Sequence, residues 1–166
     1  MDKDVLMKAF EEHYGTGGQP VQCFFSPGRV NLIGEHIDYN GGCVFPAALS
    51  LGIYGALRPR EDNVIQLKSM NTSSMVTVNL KEPIVYKEED GWGNYPKGVI
   101  AGLLSQGIPV KGYDILFSGN LPDGAGLSSS ASILVLTAFM LRKTAGEEHI
   151  DRVELARFCQ KVENQF

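Results

Sequence analysis

Two stretches of this 166-residue chain crowd together side chains that chemistry can use. The first, SPGRVNLIGEHIDYN over residues 26–40, carries Arg29, Asn31, Glu35, His36, Asp38, Tyr39 and Asn40 among Pro27, Gly28 and Gly34. Arg29 is a permanent cation, able to bridge phosphate oxygens or to lower the pKa of a nearby acid. Glu35 and Asp38 are acceptors suited to sugar hydroxyls or a cation, and His36 donates or accepts. A polyol hydroxyl left unpaired in a pocket is costly, so carboxylates are a common way to hold one. The bland alternative is a solvated loop. The proline, the two glycines and the apolar sequence that follows favour a rigid site instead. A metal held by His36 and Asp38 lacks a third ligand.

The second stretch, LPDGAGLSSSAS over residues 121–132, sets Gly124 and Gly126 just before Ser128, Ser129 and Ser130. A long apolar run follows. Glycines let a backbone approach a ligand closely. A helix N-terminus adds unpaired N–H donors and the positive end of the dipole. Serine hydroxyls add donors to phosphate or an oxygen ligand for Mg2+. Together these form an anion cradle suited to a di- or triphosphate. A plain Ser-capped helix would need one serine, not three after G-x-G. The common glycine-rich motifs fail in detail. A Walker A loop needs Gly-Lys, which the chain lacks. A Rossmann fingerprint needs Gly at Ser129, with Glu147 or Glu148 as ribose acid. A nucleophile elbow needs Gly at Ser130.

Elements must position these stretches. Val5, Leu6, Ala9 and Phe10 have helical spacing, which predicts a helix over 3–13 ending near Gly15. Residues 21–26 read as a strand delivering the first motif, with Pro27-Gly28 as a turn. Residues 43–49 and 52–58 read as two further strands, and 63–70 with 75–80 as a hairpin. Residues 81–90 suggest a surface loop, 95–105 a helix and 113–117 a strand. Residues 118–126 look like a loop. Residues 128–144 predict a buried helix, capped by serine and stopped by Gly146. Asp151-x-x-Glu154 resembles a capping box opening a last helix through Asn164. Strands first and helices later predict an α+β fold.

Composition narrows the classes. The length suits one domain, and 43% hydrophobic with 20% charged residues is ordinary for a globular protein. A net charge of -4 argues against nucleic acid as the main partner. Cys23, Cys43 and Cys159 are odd in number and far apart, which fits a reducing cytoplasm rather than a disulfide framework. No apolar run is long enough for a membrane span, and the acidic, amphipathic N-terminus is unlike a signal peptide. Asn71-Thr72-Ser73 matches the glycosylation sequon, read as chance in a cytoplasmic protein. His13 and His149 are expected on the surface.

These residues carry a resemblance. SPGRVNLIGEHIDYNGG resembles the galactokinase signature, with Ile37 where those enzymes often have Thr. LPDGAGLSSSAS resembles the phosphate-binding motif of the GHMP kinases. GWGNYPKGV, over 91–99, is similar to a further galactokinase stretch. The resemblance runs from about residue 20 to the end. It implies an α+β GHMP kinase N-terminal domain, ribosomal-protein-S5-domain-2-like, with a mixed or antiparallel sheet packed against helices. It implies galactose and Mg-ATP as small-molecule substrates, with transfer to the C1 hydroxyl of α-D-galactose. Arg29 would be the catalytic arginine, and Glu35, His36 and Asp38 would bind galactose. Gly124, Gly126, Ser128, Ser129 and Ser130 would hold the ATP phosphates, with Ser130 on Mg2+. Trp92 and Tyr95 would lie near adenine, core aromatics being the alternative. In galactokinases a catalytic aspartate, a sugar-binding tyrosine and a C-terminal domain follow the last helix, so residues 1–166 are expected to be an N-terminal domain inactive alone. Kinases for N-acetylgalactosamine or galacturonate are the nearest alternatives. A galactose- and ATP-binding transcriptional sensor is the alternative from another class. Yeast sensors of this type lack a Ser-Ala pair that stands intact here as Ser130-Ala131, which favours an enzyme.

Overall fold

The computed structural model describes residues 3–34, 36, 37, 40–122 and 127–166. Its elements, in chain order, are α1 (Lys3–Tyr14), β1 (Gln22–Ile33), β2 (Phe45–Pro59), β3 (Val64–Ser69) and β4 (Met75–Asn79). A 3-10 helix (Glu88–Gly93) leads into α2 (Asn94–Ser105), then β5 (Tyr113–Gly119), α3 (Ser129–Thr144) and α4 (Arg152–Gln165). The strands form one sheet in the order β1-β2-β5-β3-β4. Every neighbour pair is antiparallel except β3 with β5, so the sheet is mixed, as an α+β fold allows.

Alternation along the strands divides the core between two faces. On one face Leu57, Ile65, Leu67, Ile115 and Phe117 pack with residues of α2, α3 and α4. On the other, Ala56 and Leu116 pack with Leu6, Ala9 and Phe10 of α1. α3 is the central helix: Ile133, Leu134, Leu136, Ala138, Met140 and Leu141 are all buried, in line with its nearly uniform apolar sequence. It sits close over β2, where a Cβ on Gly55 would stand 2.8 Å from the Met140 sulfur.

α1 is fastened by charge as well as by apolar contact. Arg58, 7% exposed, donates to the Tyr14, Gly15 and Gly17 carbonyls that close α1 and to Asp114 Oδ2 at 2.9 Å. Its guanidinium lies 5.1 Å from the Phe10 ring centre. Arg60 completes the Asp114 carboxylate at 2.6 Å. The Tyr14 hydroxyl lies within hydrogen-bonding reach of the Gln66 and Ile115 carbonyls, and burial raises its pKa above the usual phenol value. α4 opens on Asp151, which accepts from the Val153 and Glu154 amides; those bonds hold its carboxyl below the usual range.

Three expectations need correcting. Pro27-Gly28 does not end β1; the strand continues to Ile33 and only its register slips there, Pro27 facing Gly52 and Arg29 facing Ala48. A residue without an N–H beside one without a side chain suits a break in the ladder as well as a turn. The two strands expected over 43–58 are one, β2, because Ser50-Leu51-Gly52 crosses that irregularity without leaving the sheet. Ser128 precedes α3 but does not cap it with its side chain; its backbone is left-handed, with φ 62°.

Candidate active site

The two sequence motifs meet at the start of α3. Gly28 of β1 is buried against the segment that enters the helix: a Cβ there would lie 2.6 Å from Leu121 Cδ2 and 2.9 Å from the Leu127 carbonyl. Only glycine permits that approach. The next residue, Arg29, donates its backbone N–H to the same Leu127 carbonyl at 3.2 Å. One turn into α3, the Ser132 hydroxyl donates to the Ser26 carbonyl at 2.9 Å, both residues being buried. β1 and the N-terminus of α3 are thus stitched at three successive points. Arg29, with its side chain exposed, stands at the seam.

Beyond β1 the chain turns tightly. Ile37 N–H donates to Gly34 O, and Gly42 N–H to Ile37 O, while Asn40 Nδ2 donates to the His36 carbonyl at 2.8 Å. His36 is exposed and takes φ 66°, a left-handed conformation uncommon for a residue with a Cβ and more frequent at functional sites. Glu35, Asp38, Gly124 and Gly126 lie outside the described residues.

On the other side of α3's first turn is a cleft of about 210 Å3 lined by Ser129, Ser130, Trp92, Tyr95, Phe117 and Asn71 among others. Trp92 meets Phe117 edge to face, centres 5.8 Å apart, and its indole N–H donates to Ser74 Oγ at 3.1 Å. The aromatic pair and two of the three serines expected at one site therefore share a wall, and Ser128 stands next to them at the helix entrance. The first-turn amides of α3 have no partner within the helix and open onto this end. An aromatic slot beside a helix N-terminus and hydroxyls fits a nucleotide with its phosphates toward the helix.

A slightly larger hollow, about 240 Å3, runs between α2 and α4, but it contains none of these residues. Among the described residues no group of three His, Cys, Asp or Glu could hold a metal ion. A Mg2+ carried mainly by phosphate oxygens needs only one or two protein ligands, and the Ser130 hydroxyl is suitable for that. Among the described residues no helix is long and apolar enough to cross a membrane.

Several contributors are missing from the sequence reading. Asn94, 6% exposed, has its side chain bonded to Lys87 N–H and to the Lys87 and Gly91 carbonyls, which shapes the turn that presents Trp92. Lys97, 4% exposed, is paired with Asp90 behind it. Asn71 bonds the Gly119 backbone at the cleft wall, and Asn120 bonds Gly52 behind it. A polar residue buried by its partner leaves no periodicity; the dense GWGNYPKG stretch was the one signal available for the first two.

Comparison with known proteins agrees with this geometry. The galactokinase galactose-binding signature matches residues 8–59, and the GHMP kinase N-terminal domain matches residues 94–166. The galactokinase of Clostridium tetani is 52% identical over 100% of this chain, and that of Bacillus subtilis is 46% identical over 99%. The chain spans about 42% and 41% of their respective lengths. The crystal structure of Lactococcus lactis galactokinase complexed with galactose superposes with a TM-score of 0.89 at 40% identity, over 98% of this chain and 42% of that one. Mevalonate kinase of Methanococcus jannaschii shares the fold, with a TM-score of 0.77 at 24% identity, over 87% of this chain and 46% of that one. Two signatures in their expected order, identity along the whole chain and a common fold match this chain to the N-terminal part of the galactokinases among the GHMP kinases.

Proposed function

We propose that these residues form the sugar- and nucleotide-facing part of a kinase that transfers the γ-phosphoryl group of ATP to the C1 hydroxyl of α-D-galactose. The new bond joins the C1 oxygen to the γ-phosphorus, the bond from that phosphorus to the leaving ADP oxygen breaks, and the hydroxyl proton passes to an acid. The observation that carries the reading is the seam between β1 and α3. A sugar-type motif and a phosphate-type motif are bonded backbone to backbone at Arg29 and Leu127, as transfer between two bound substrates requires. The crystallised relative bound to galactose supports the sugar.

In this reading Glu35, His36 and Asp38 hold the sugar hydroxyls. Gly124, Gly126, Ser128, Ser129 and Ser130 cradle the phosphates, while Trp92 and Tyr95 take the adenine. Arg29 lies between the two sets, where its charge stabilises the transferred phosphoryl and keeps a neighbouring acid ionised. Mg2+, with Ser130 as a ligand, neutralises phosphate charge when bound. The resemblance puts the proton-accepting aspartate in a segment after Phe166, so the 166-residue chain alone is proposed to be inactive. Three unpaired cysteines suit a reducing, cytoplasmic setting.

The test is an ADP-release assay on the protein that carries this chain together with the rest of a galactokinase's length. Galactose-dependent release, lowered at least 100-fold by Arg29→Ala, is the expected result. Turnover with N-acetylgalactosamine or galacturonate but not galactose would reassign the sugar. Binding of both ligands with no turnover would favour a sensor. Phosphorylation of galactose by the 166-residue chain itself would overturn its proposed inactivity.

A further inference from the structure

β3 leaves the sheet at Ser69, whose partner in the parallel ladder is Phe117. Met70 N–H still donates to the Phe117 carbonyl at 2.9 Å. The next rung is made by a side chain. Asn71 Oδ1 accepts from Gly119 N–H at 2.7 Å, and Asn71 Nδ2 donates to the Gly119 carbonyl at 2.9 Å. A primary amide offers the same donor and acceptor pair as a peptide group, so Asn71 extends the ladder after its own backbone has turned away. The other edge of the same segment has a matching contact. Gly52 N–H donates to Asn120 Oδ1 at 2.8 Å, and Asn120 N–H donates to the Gly52 carbonyl at 3.1 Å.

Asparagines in turns commonly bond backbone about two residues away. These two reach across 48 and 68 residues, so they are tertiary contacts and not turn chemistry. Between them they grip Gly119 and Asn120 from the β3 side and the β2 side. Gly119, Ile53 and Leu121 line the cleft that also holds Ser129, Ser130 and Trp92. Asn71 lines it; Asn120 does not.

We infer that Asn71 and Asn120 are positioning residues for the nucleotide, clamping the end of β5 between β3 and β2 so that the cleft wall stays at a fixed distance from the first turn of α3. The inference rests on the proposed nucleotide reading of that cleft and deepens it. The Asn71 side chain replaces a whole backbone rung past the end of β3, while on the β2 side the backbone makes one bond to Gly52 and the Asn120 side chain makes the other. Loss of either lets the wall drift from Ser129 and Ser130, weakening ATP binding.

Trp92 is the chain's sole tryptophan, so its emission reports ATP binding at the cleft directly, without turnover. ATP is titrated into the wild-type protein and into Asn71→Ala, Asn71→Asp and Asn120→Ala, with galactose binding followed by calorimetry. Both alanine variants are expected to weaken ATP about 10-fold, the loss of roughly one hydrogen-bonding clamp, with galactose affinity unchanged. Asn71→Asp keeps the acceptor for Gly119 N–H and loses the donor, so it falls between. An effect at Asn71 but none at Asn120 means direct ligand contact and overturns the clamp. So does ATP affinity within twofold of wild type in both alanine variants. If a variant fails to fold, amide exchange of Gly119 and Gly52 in the wild type decides, since exchange at open-chain rates overturns the inference. No ATP response of Trp92 in the wild type overturns the proposed nucleotide site itself, and this inference with it.

Discussion

Ser132 is a hydroxyl in a helix interior, 3% exposed, and its bond runs to the Ser26 carbonyl of another element instead of back along α3. Thr137 makes the commoner choice, bonding the Ile133 carbonyl four residues earlier. Ser132→Ala removes one buried donor and should cost about 1–2 kcal/mol, read as a lower urea midpoint. Gly28→Ala acts at the same seam by a different route. Its Cβ meets a backbone carbonyl, Leu127 O, which cannot swing aside as a side-chain end can. Overpacking of that kind costs about 1–3 kcal/mol, and it displaces the very segment that leads to Ser128. ATP affinity, read by Trp92 emission, should fall more in Gly28→Ala than in Ser132→Ala at equal loss of stability. Equal ATP affinity in both would mean that the spacing between β1 and Leu127 does not matter to the nucleotide. Arg29 and the serines were legible as chemistry because their types are odd in a packed core. Ser132 and Gly28 were visible only as members of motifs, since what they touch lies about a hundred residues away.

At the scale of elements, α1 docks through a charged joint. Arg58 satisfies three carbonyls at the end of α1 together with Asp114 on β5, and so holds helix, loop and two strands at one point. Arg58→Met keeps much of the bulk and leaves those carbonyls without a donor. Breaking a buried pair in this way typically costs about 3–5 kcal/mol. Amides of residues 6–14 should then exchange faster than those of α3, whose packing is on the opposite face of the sheet. Uniform acceleration across α1 and α3 would mean that α1 is not separately fastened. The sequence made α1, α2, α4 and the β3–β4 hairpin readable because each is local: a period, a cap, a turn between two alternating runs. It hid the parallel pairing of β3 with β5, because that register is set by Ile65 and Leu67 sharing a layer with Ile115 and Phe117, not by any nearby signal. It split β2 in two for the converse reason. A glycine and polar residues usually punctuate a strand, yet here Ser50-Leu51-Gly52 absorbs a slip against β1.

Over the whole molecule, three cysteines sample three depths and turn the fold's layers into a labelling order. Cys43 is exposed beside the first motif. Cys23 is half-buried, its thiol donating to Met7 Sδ at 3.4 Å, and burial pushes its pKa up. Cys159, 3% exposed, faces the core from α4, and burial pushes its thiol up to about 12. Only thiolate reacts with iodoacetamide, so at pH 8 access and ionisation act in the same direction. Cys43 should label first, Cys23 more slowly, and Cys159 only as fast as α4 leaves Leu155 and Val162's layer of the core. Peptide mass spectrometry against time and urea separates the three. If Cys159 labels well below the urea midpoint, α4 opens as a unit of its own; if it labels only with global unfolding, α4 and the α2–α3 layer behind the proposed nucleotide cleft form one cooperative body. The second outcome is expected, because Cys159 and Val162 belong to the same buried cluster as Val99, Ile100 and Leu134, and α4 cannot move without opening that cluster. Labelling of Cys159 at the rate of Cys43 in native buffer would contradict the packing of α4 outright.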